Sequence, residues 1–269
     1  MATDATPVLI ETLSGGVMTL TLNRPERMNA FNVALHEALA GAFSRAEASD
    51  DCRVVMITGS GPGFCAGQDL SERAMKPGAA PPDLGHTLDK FYNPLIRRMR
   101  ALPKPVIAAV NGVAAGAGAS FALAADIVLA ARSAKFIQAF ARIGLVPDSG
   151  GTYFLPRLVG EARARALMLL GQPLGADDAA AWGMIYRVVD DQNLMGEAHE
   201  LAEKLAAGPT HAYGLMKRAF AASATNSLDA QLDLERDLQR EAGGKDEYVE
   251  GVRAFLEKRP TNFRKAAGG

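Results

Sequence analysis

The stretch from Val106 to Ala131 is the most apolar part of the chain, and it decides what the chain can fold into. It is long enough to cross a bilayer, but Asn111, Gly112, Gly116, Gly118 and Asp126 interrupt it. Hydrocarbon would leave those polar and flexible positions unsupported, so a buried strand–turn–helix–strand is the better reading. Val106–Val110 and Ile127–Ala131 then become all-apolar strands, joined by a helix ending near Ala125. Strands with no polar face are covered on both sides, which calls for parallel β-structure under helices.

The flanking sequence extends this pattern. Val8–Leu13 and Val17–Asn23 are β-rich runs separated by Ser14-Gly15-Gly16, a hairpin signal. Asn32 can cap a helix from Val33 to Ala48 with Leu35, Leu39 and Phe43 on one face. Arg53–Thr58 reads as a buried strand, ended by Gly59-Ser60-Gly61-Pro62-Gly63. Leu88–Leu102 is amphipathic and stops at Pro103 and Pro105, while Ala74–Asp83 reads as a mobile loop. From Glu161 onward the chain is rich in Ala, Leu, Glu and Arg. Helices are expected over Glu161–Leu170, Ala176–Trp182, Leu194–Ala207, Thr210–Ala222, Leu228–Ala242 and Asp246–Lys258. A strand at Ile185–Val189 rejoins the core, and the last helices read as subunit contacts.

Composition removes several classes of function. The 29 basic and 30 acidic residues nearly cancel, which argues against nucleic acid or an anionic membrane as partner. Cys52 and Cys65 form neither a disulfide framework nor a metal spacing, and His36, His86, His199 and His211 are scattered, so no metal site is expected. The N-terminus MATDATP lacks a basic region followed by an apolar core, so no signal peptide is expected and the protein reads as soluble and cytoplasmic. Gly116-Ala117-Gly118 follows a strand and opens a helix, as a dinucleotide fingerprint does. The third glycine position is Phe121, however, and no acid stands about 20 residues on, so a nicotinamide site is not supported.

Three segments can carry chemistry. Phe64-Cys65-Ala66-Gly67-Gln68-Asp69-Leu70 follows a strand, and its small residues let a ligand reach backbone N–H donors; a plain turn would look the same. Asn111–Ser120 opens a helix with glycines and alanines that leave the first N–H groups uncovered, suited to an anion or a developing oxyanion. Close helix–sheet packing needs the same small residues. The third is Phe136–Ile143 leading into Gly144–Gly151. It contains Asp148, the one carboxylate between Asp126 and Glu161. Asp148 is either an N-cap for the following helix or a carboxylate among Phe140, Leu145, Val146 and Pro147, desolvated and suited to moving a proton on carbon.

Taken together these segments resemble the crotonase family, the enoyl-CoA hydratase/isomerase superfamily, essentially end to end. The landmarks are Leu22-Asn23-Arg24-Pro25, Phe64–Leu70, Lys104–Gly112, Asp126-Ile127, Gly144-Leu145-Val146-Pro147 and Lys258-Arg259. The resemblance implies an α/β fold, a spiral of ββα repeats with a C-terminal helical oligomerisation region. Residues 1–195 would form the core with the acyl-CoA site and 196–269 the trimerisation region, giving a homotrimer or a hexamer. It implies that backbone N–H groups of Gln68 and Ala117 hold the thioester oxygen. Arg24, Met28, Ala66, Gly67, Asp69 and Leu70 would lie along the coenzyme A moiety, with Phe255, Lys258 and Phe263 supplied by a neighbouring subunit. No cofactor is implied, because coenzyme A is part of the substrate.

The departures from the family pattern narrow the activity. Family hydratases carry two glutamates where this chain has Ser120 and Phe140, and neither can act as a general base. Asp148 matches the aspartate of family isomerases. Asn111–Ala119, Gly144–Gly151, Trp182-Gly183-Met184-Ile185 and Gln231–Asp237 resemble a branch that isomerises the ring epoxide of phenylacetyl-CoA to an oxepin in phenylacetate catabolism, and shifts a 3-enoyl double bond to the 2-position. The expectation is an isomerase in which Phe136 and Phe140 keep water away. A broad enoyl-CoA hydratase and a silent acyl-CoA-binding scaffold are the competing readings. Phe91, Tyr92 and the loop Ala74–Leu88 are expected to shape the acyl pocket.

Overall fold

The computed structural model describes residues 6–73 and 82–266. Most of the loop expected at Ala74–Asp83, and the start of the N-terminal stretch, lie outside the described residues. The described residues form ten strands: β1 (Leu9–Ser14), β2 (Val17–Leu22), β3 (Val54–Gly59), β4 (Gly63–Cys65), β5 (Val106–Val110), β6 (Val113–Ala115), β7 (Ile127–Ala131), β8 (Lys135–Ile137), β9 (Pro173–Gly175) and β10 (Arg187–Val189). They form two sheets. The larger has the order β1-β2-β3-β5-β7-β10 and the smaller β4-β6-β8-β9.

The larger sheet is the predicted scaffold. β1 and β2 form an antiparallel hairpin, and β2, β3, β5, β7 and β10 run parallel. Every residue of β5 is buried, as its all-apolar composition requires. Asn32 caps the helix Val33–Ala48 through Oδ1, which accepts the Leu35 N–H at 2.9 Å, and Leu35, Leu39 and Phe43 are fully buried. β10 rejoins the sheet beside β7, in the register Arg187 to Leu129.

The smaller sheet is where the structure departs from expectation. Gly63–Cys65 and Val113–Ala115 read as turns in the sequence, yet both are short parallel strands, β4 pairing with β6 and β6 with β8. Three residues of mixed small character show no alternation, and their ladder partners are far away in sequence. Each of β3, β5 and β7 is followed after a few residues by a strand of the smaller sheet and then by a helix. This is the repeating ββα unit.

The helix Leu194–Ala207 packs on β2, β3, β5 and β7, with Ala198, Ala202 and Ala206 fully buried at the i, i+4 spacing. The boundary expected at 195/196 falls in the first turn of this helix. Beyond it, Thr210–Ser223, Leu228–Gly243 and Asp246–Leu256 pack mainly on one another. Buried cations tie this outer layer to the core. Arg53 donates to the carbonyls of Ala206 at 2.6 Å and Gly208 at 2.7 Å. Lys217 reaches Asp126 at 2.7 Å and the Lys104 carbonyl at 2.9 Å, while Asp126 accepts the Val106 N–H at 2.8 Å. Burial lowers the Lys217 pKa, and Asp126 opposes that shift.

Removing one partner of a buried pair strands the other. Lys217→Met is expected to lower the unfolding free energy by roughly 3 kcal/mol, measured by denaturant titration. Asp126→Asn, which keeps a carbonyl oxygen for the Val106 N–H, should cost less.

Candidate active site

A cavity of about 770 Å³ opens where the smaller sheet ends. Its construction follows from strand order. β4, β6 and β8 lie side by side and parallel, so the segments leaving their C-terminal ends emerge together. Ala66–Gln68 leaves β4, Gly116–Ala117 leaves β6, and Ala139–Phe140 leaves β8, and all three line the cavity. Leu84, Leu88, Tyr92 and Asn93 form another wall, and Leu145 to Gly150 the rest of the rim.

The first two segments form facing turns. Gly67 has φ +89° and Gly116 φ +52°, backbone positions that side-chain-bearing residues rarely adopt. A Cβ on Gly67 would lie 2.8 Å from the Ala115 carbonyl oxygen and 3.3 Å from the Ala117 nitrogen, so the two turns are in contact. Ala117 is the first residue of the helix Ala117–Leu123, and its N–H has no acceptor within that helix. The neighbouring turn is clamped to Phe31, whose N–H donates to the Gly67 carbonyl at 2.7 Å and whose carbonyl accepts the Asp69 N–H at 2.9 Å. The Gln68 side chain is held as well. Its Nε2 donates to the Phe31 and Asp69 carbonyls at 3.2 Å each, and its Oε1 accepts the Tyr92 hydroxyl at 2.7 Å.

Asp148 lines the same cavity and is half-buried. It is not the N-cap of the next helix. That helix spans Gly151–Val159, its N-cap is Gly150 at φ +80°, and no side chain caps it. Two left-handed residues, Ser149 and Gly150, separate the carboxylate from the helix and leave only its main-chain carbonyl to accept the Gly151 N–H at 2.8 Å. The carboxylate oxygen Oδ1 instead accepts the Ser149 hydroxyl at 2.9 Å.

The enclosure expected around Asp148 is only partial. Phe140 is buried against Gly116, but Leu145 is 38% and Val146 80% exposed, because Gly144–Val146 is an irregular stretch at the cavity rim. Phe136 is not at the cavity at all; it points into the core from β8, opposite Leu174 of β9. Ser120 is fully buried behind the cavity wall. Burial pushes the Cys65 thiol up to about 12, which removes it as a thiolate nucleophile.

The residues expected along coenzyme A divide into groups. Ala66, Gly67 and Leu70 line the cavity. Arg24 and Asp69 pair with each other at 2.8 Å, with Arg24 also donating to the Ala30 carbonyl. They brace the turn from behind, and Met28 stands beside them at φ +49°. Phe255 and Phe263 line a separate cavity of about 440 Å³ among the C-terminal helices, and Lys258 is exposed. Within one chain they do not meet Asp148. Phe91 stacks on His36, with centroids 5.4 Å apart, while Tyr92 and Asn93 line the cavity. The role of Gln68's side chain was not legible, because its partner Tyr92 is 24 residues away. Among the described residues no group of three or more His, Cys, Asp or Glu side chains could hold a metal, and no helix is long and apolar enough to cross a membrane.

The fold and the paired amide turns define a family, and comparison with known proteins gives the same one. The pattern of the enoyl-CoA hydratase/isomerase family matches residues 12–266, and the chain belongs to that family. Among its relatives is a 1,2-epoxyphenylacetyl-CoA isomerase from Escherichia coli K12, 57% identical over 248 residues, covering 92% of this chain and 95% of that protein. A 2,3-dehydroadipyl-CoA hydratase from the same organism is 37% identical, with 92% and 95% covered. The crystal structure of an enoyl-CoA hydratase from Bacillus anthracis superimposes with a TM-score of 0.90 at 32% identity, covering 96% of this chain and 99% of that one.

Two predictions follow from the turn geometry. Gly67→Ala forces a methyl group toward the Ala115 carbonyl in a left-handed conformation, so turnover of an acyl-CoA substrate should fall by about 10²-fold or more in a steady-state assay. The Asp69 carboxyl is held below its ordinary value, first by the Ser71 hydroxyl and then by Arg24. Its contribution is therefore complete above the ordinary aspartate value and is lost as pH falls through the lower folded value. Asp69→Asn should lower neutral-pH stability by roughly 2 kcal/mol and flatten that acid limb of the stability–pH curve.

Proposed function

We propose that this protein is an acyl-CoA isomerase that moves a proton along the acyl chain. Its substrate would be the ring epoxide of phenylacetyl-CoA, converted to the oxepin thioester, or a 3-enoyl-CoA converted to the 2-enoyl isomer. The observation that carries this reading is that Asp148 is the one carboxylate among the described residues lining the cavity. A hydratase of this family needs two carboxylates for its water. Here the two corresponding positions hold a buried hydroxyl, Ser120, and an aromatic ring, Phe140. Similarity to the 1,2-epoxyphenylacetyl-CoA isomerase supports the choice of acyl group.

In this reading the thioester oxygen accepts hydrogen bonds from the N–H groups of Gln68 and Ala117. Negative charge builds on that oxygen as the C2 proton leaves, and each donor contributes about 3 kcal/mol to the transition state. Asp148 takes the proton and returns it further along the conjugated system, at C4 for a simple enoyl chain. The same group serves as base and then acid, so no second carboxylate is required. No cofactor takes part, since coenzyme A belongs to the substrate.

The coenzyme A moiety would run from Ala66 and Leu70 toward Arg24, Met28 and Asp69, with Phe255, Lys258 and Phe263 contributed by a neighbouring copy. A homotrimer, or a hexamer of two trimers, supplies that copy. Phe220, Phe255 and Leu256 are 71%, 82% and 74% exposed on the C-terminal helices, a large apolar area for a lone chain. The protein would work in the cytoplasm, without nucleic acid or membrane as partner.

Asp148→Asn is nearly isosteric and is expected to lower isomerisation of 3-enoyl-CoA and of the phenylacetyl-CoA epoxide by about 10²–10⁴-fold with the melting temperature kept. A loss smaller than about tenfold would remove Asp148 from the proton transfer. The partly open rim beside Asp148 favours a second reading, an enoyl-CoA hydratase in which Asp148 activates water. Supplying crotonyl-CoA separates the two, because rapid loss of its conjugation is expected only of the hydratase. In a silent acyl-CoA scaffold Asp148→Asn would change no rate.

A further inference from the structure

We propose that Tyr92 is a positioning residue that sets the oxyanion-binding amide of Gln68. The proposal rests on the reading above, in which that amide holds the thioester oxygen.

The helical run carrying Tyr92 is not α-helical throughout; a π-turn lies between the α-turn Leu84–Thr87 and the α-helix Asn93–Ala101. Leu88–Tyr92 is a π-turn, in which the Asn93 N–H donates to the Leu88 carbonyl five residues back. In a regular α-helix positions i and i+5 point in different directions, whereas the wider π-turn keeps them on one face. Leu88, Tyr92 and Asn93 accordingly all line the cavity. The Tyr92 hydroxyl, on a residue only 3% exposed, lies 2.7 Å from Gln68 Oε1.

Tyr92 grips the turn in two places. Its ring packs edge-on against Phe31, with centroids 5.5 Å apart, and against His36 at 4.2 Å. Phe31 is the residue whose N–H and carbonyl bracket Gln68 through Gly67 and Asp69. The hydroxyl meanwhile fixes the amide whose other end donates to the Phe31 and Asp69 carbonyls. This clamp is needed because the peptide joining Gly67 to Gln68 has a glycine on one side, so its own backbone does little to hold its direction. An oxyanion donor works only when it is fixed before charge develops. The hydroxyl proton is directed to Gln68, so Tyr92 acts through that residue and not on the substrate.

The test uses the purified full-length enzyme and three variants, Tyr92→Phe, Gln68→Met and the double variant, with melting temperatures measured for each. Steady-state isomerisation of 3-enoyl-CoA gives kcat and KM. The same variants in the Asp148→Asn background, where proton transfer is blocked, are titrated with cinnamoyl-CoA. Its absorption moves to longer wavelength when the thioester carbonyl is polarised. Tyr92→Phe is expected to lower kcat about tenfold while KM stays within about twofold, and to shrink the red shift. Gln68→Met should do the same, with the double variant no worse than either single one. An unchanged kcat and red shift in Tyr92→Phe would overturn the proposal. So would a kcat loss with the full red shift retained, which would put the hydroxyl on the substrate, and so would additive losses in the double variant. Absence of any red shift with Tyr92 intact would overturn the thioester reading itself, and this proposal with it.

Discussion

The site depends on the parallel pairing of three very short strands. β4, β6 and β8 contribute three residues each, too few to be stable as an isolated sheet. They hold because each continues from a long buried strand of the larger sheet, so β3, β5 and β7 fix where they start. Parallel pairing then sends all three C-terminal ends the same way. The two amide turns and the Phe140 wall therefore emerge together from segments far apart in sequence. In an antiparallel arrangement neighbouring ends would point to opposite sides, and no such convergence would occur.

Buried charge serves this scaffold more than the chemistry. Lys104 donates to the Ala46 and Ser49 carbonyls at the end of the helix Val33–Ala48, Arg53 to those of Ala206 and Gly208, and Lys217 to Asp126. Each cation closes a helix end or a layer junction whose carbonyls would otherwise lack donors. Arg24 and Asp69 brace the Gln68 turn in the same manner, from behind the cavity. Consequently the cavity is left nearly free of ionised groups. Asp148 and Arg142 are the charged side chains among its described lining residues, and in the proposed reading neutral backbone amides would receive the charge that develops in reaction.

The larger sheet was legible because its signals are local and redundant. Val106–Val110 and Ile127–Ala131 are apolar throughout, and Asn32 before a 3.6-residue periodicity fixes a helix start. The smaller sheet was not legible, since β6 lies within what reads as a glycine-rich helix opening. For the site, the small-residue segments and Asp148 could be found by composition and family resemblance. The cap reading of Asp148 failed for a reason hidden in backbone angles: Ser149 and Gly150 are both left-handed, which turns the carboxylate away from the helix. Tyr92 was expected at the acyl pocket and lines the cavity, but its bond to Gln68 was not legible across 24 residues of sequence. The apolar enclosure was overestimated, because hydrophobic neighbours in sequence, such as Val146, can face solvent at a rim.

In the proposed reading, family members place carboxylates at several positions of this scaffold to act on the thioester. One is on the helix that follows β6, at Ser120; one follows β8, at Phe140; one lies at the end of the rim, at Asp148. A water molecule must be gripped and deprotonated, which takes two groups. A proton moved between carbons needs one group within reach of both, kept from trading its proton with solvent. Filling Phe140 with a buried ring and Ser120 with a small hydroxyl removes the grip on water while leaving the amide turns unaltered. Under the proposed isomerase reading, the remaining exposure at Leu145 and Val146 is the weak point, because open solvent would drain a proton held by Asp148. A bound acyl group against these residues would cover that rim, so the substrate itself helps to dry the site in which it reacts.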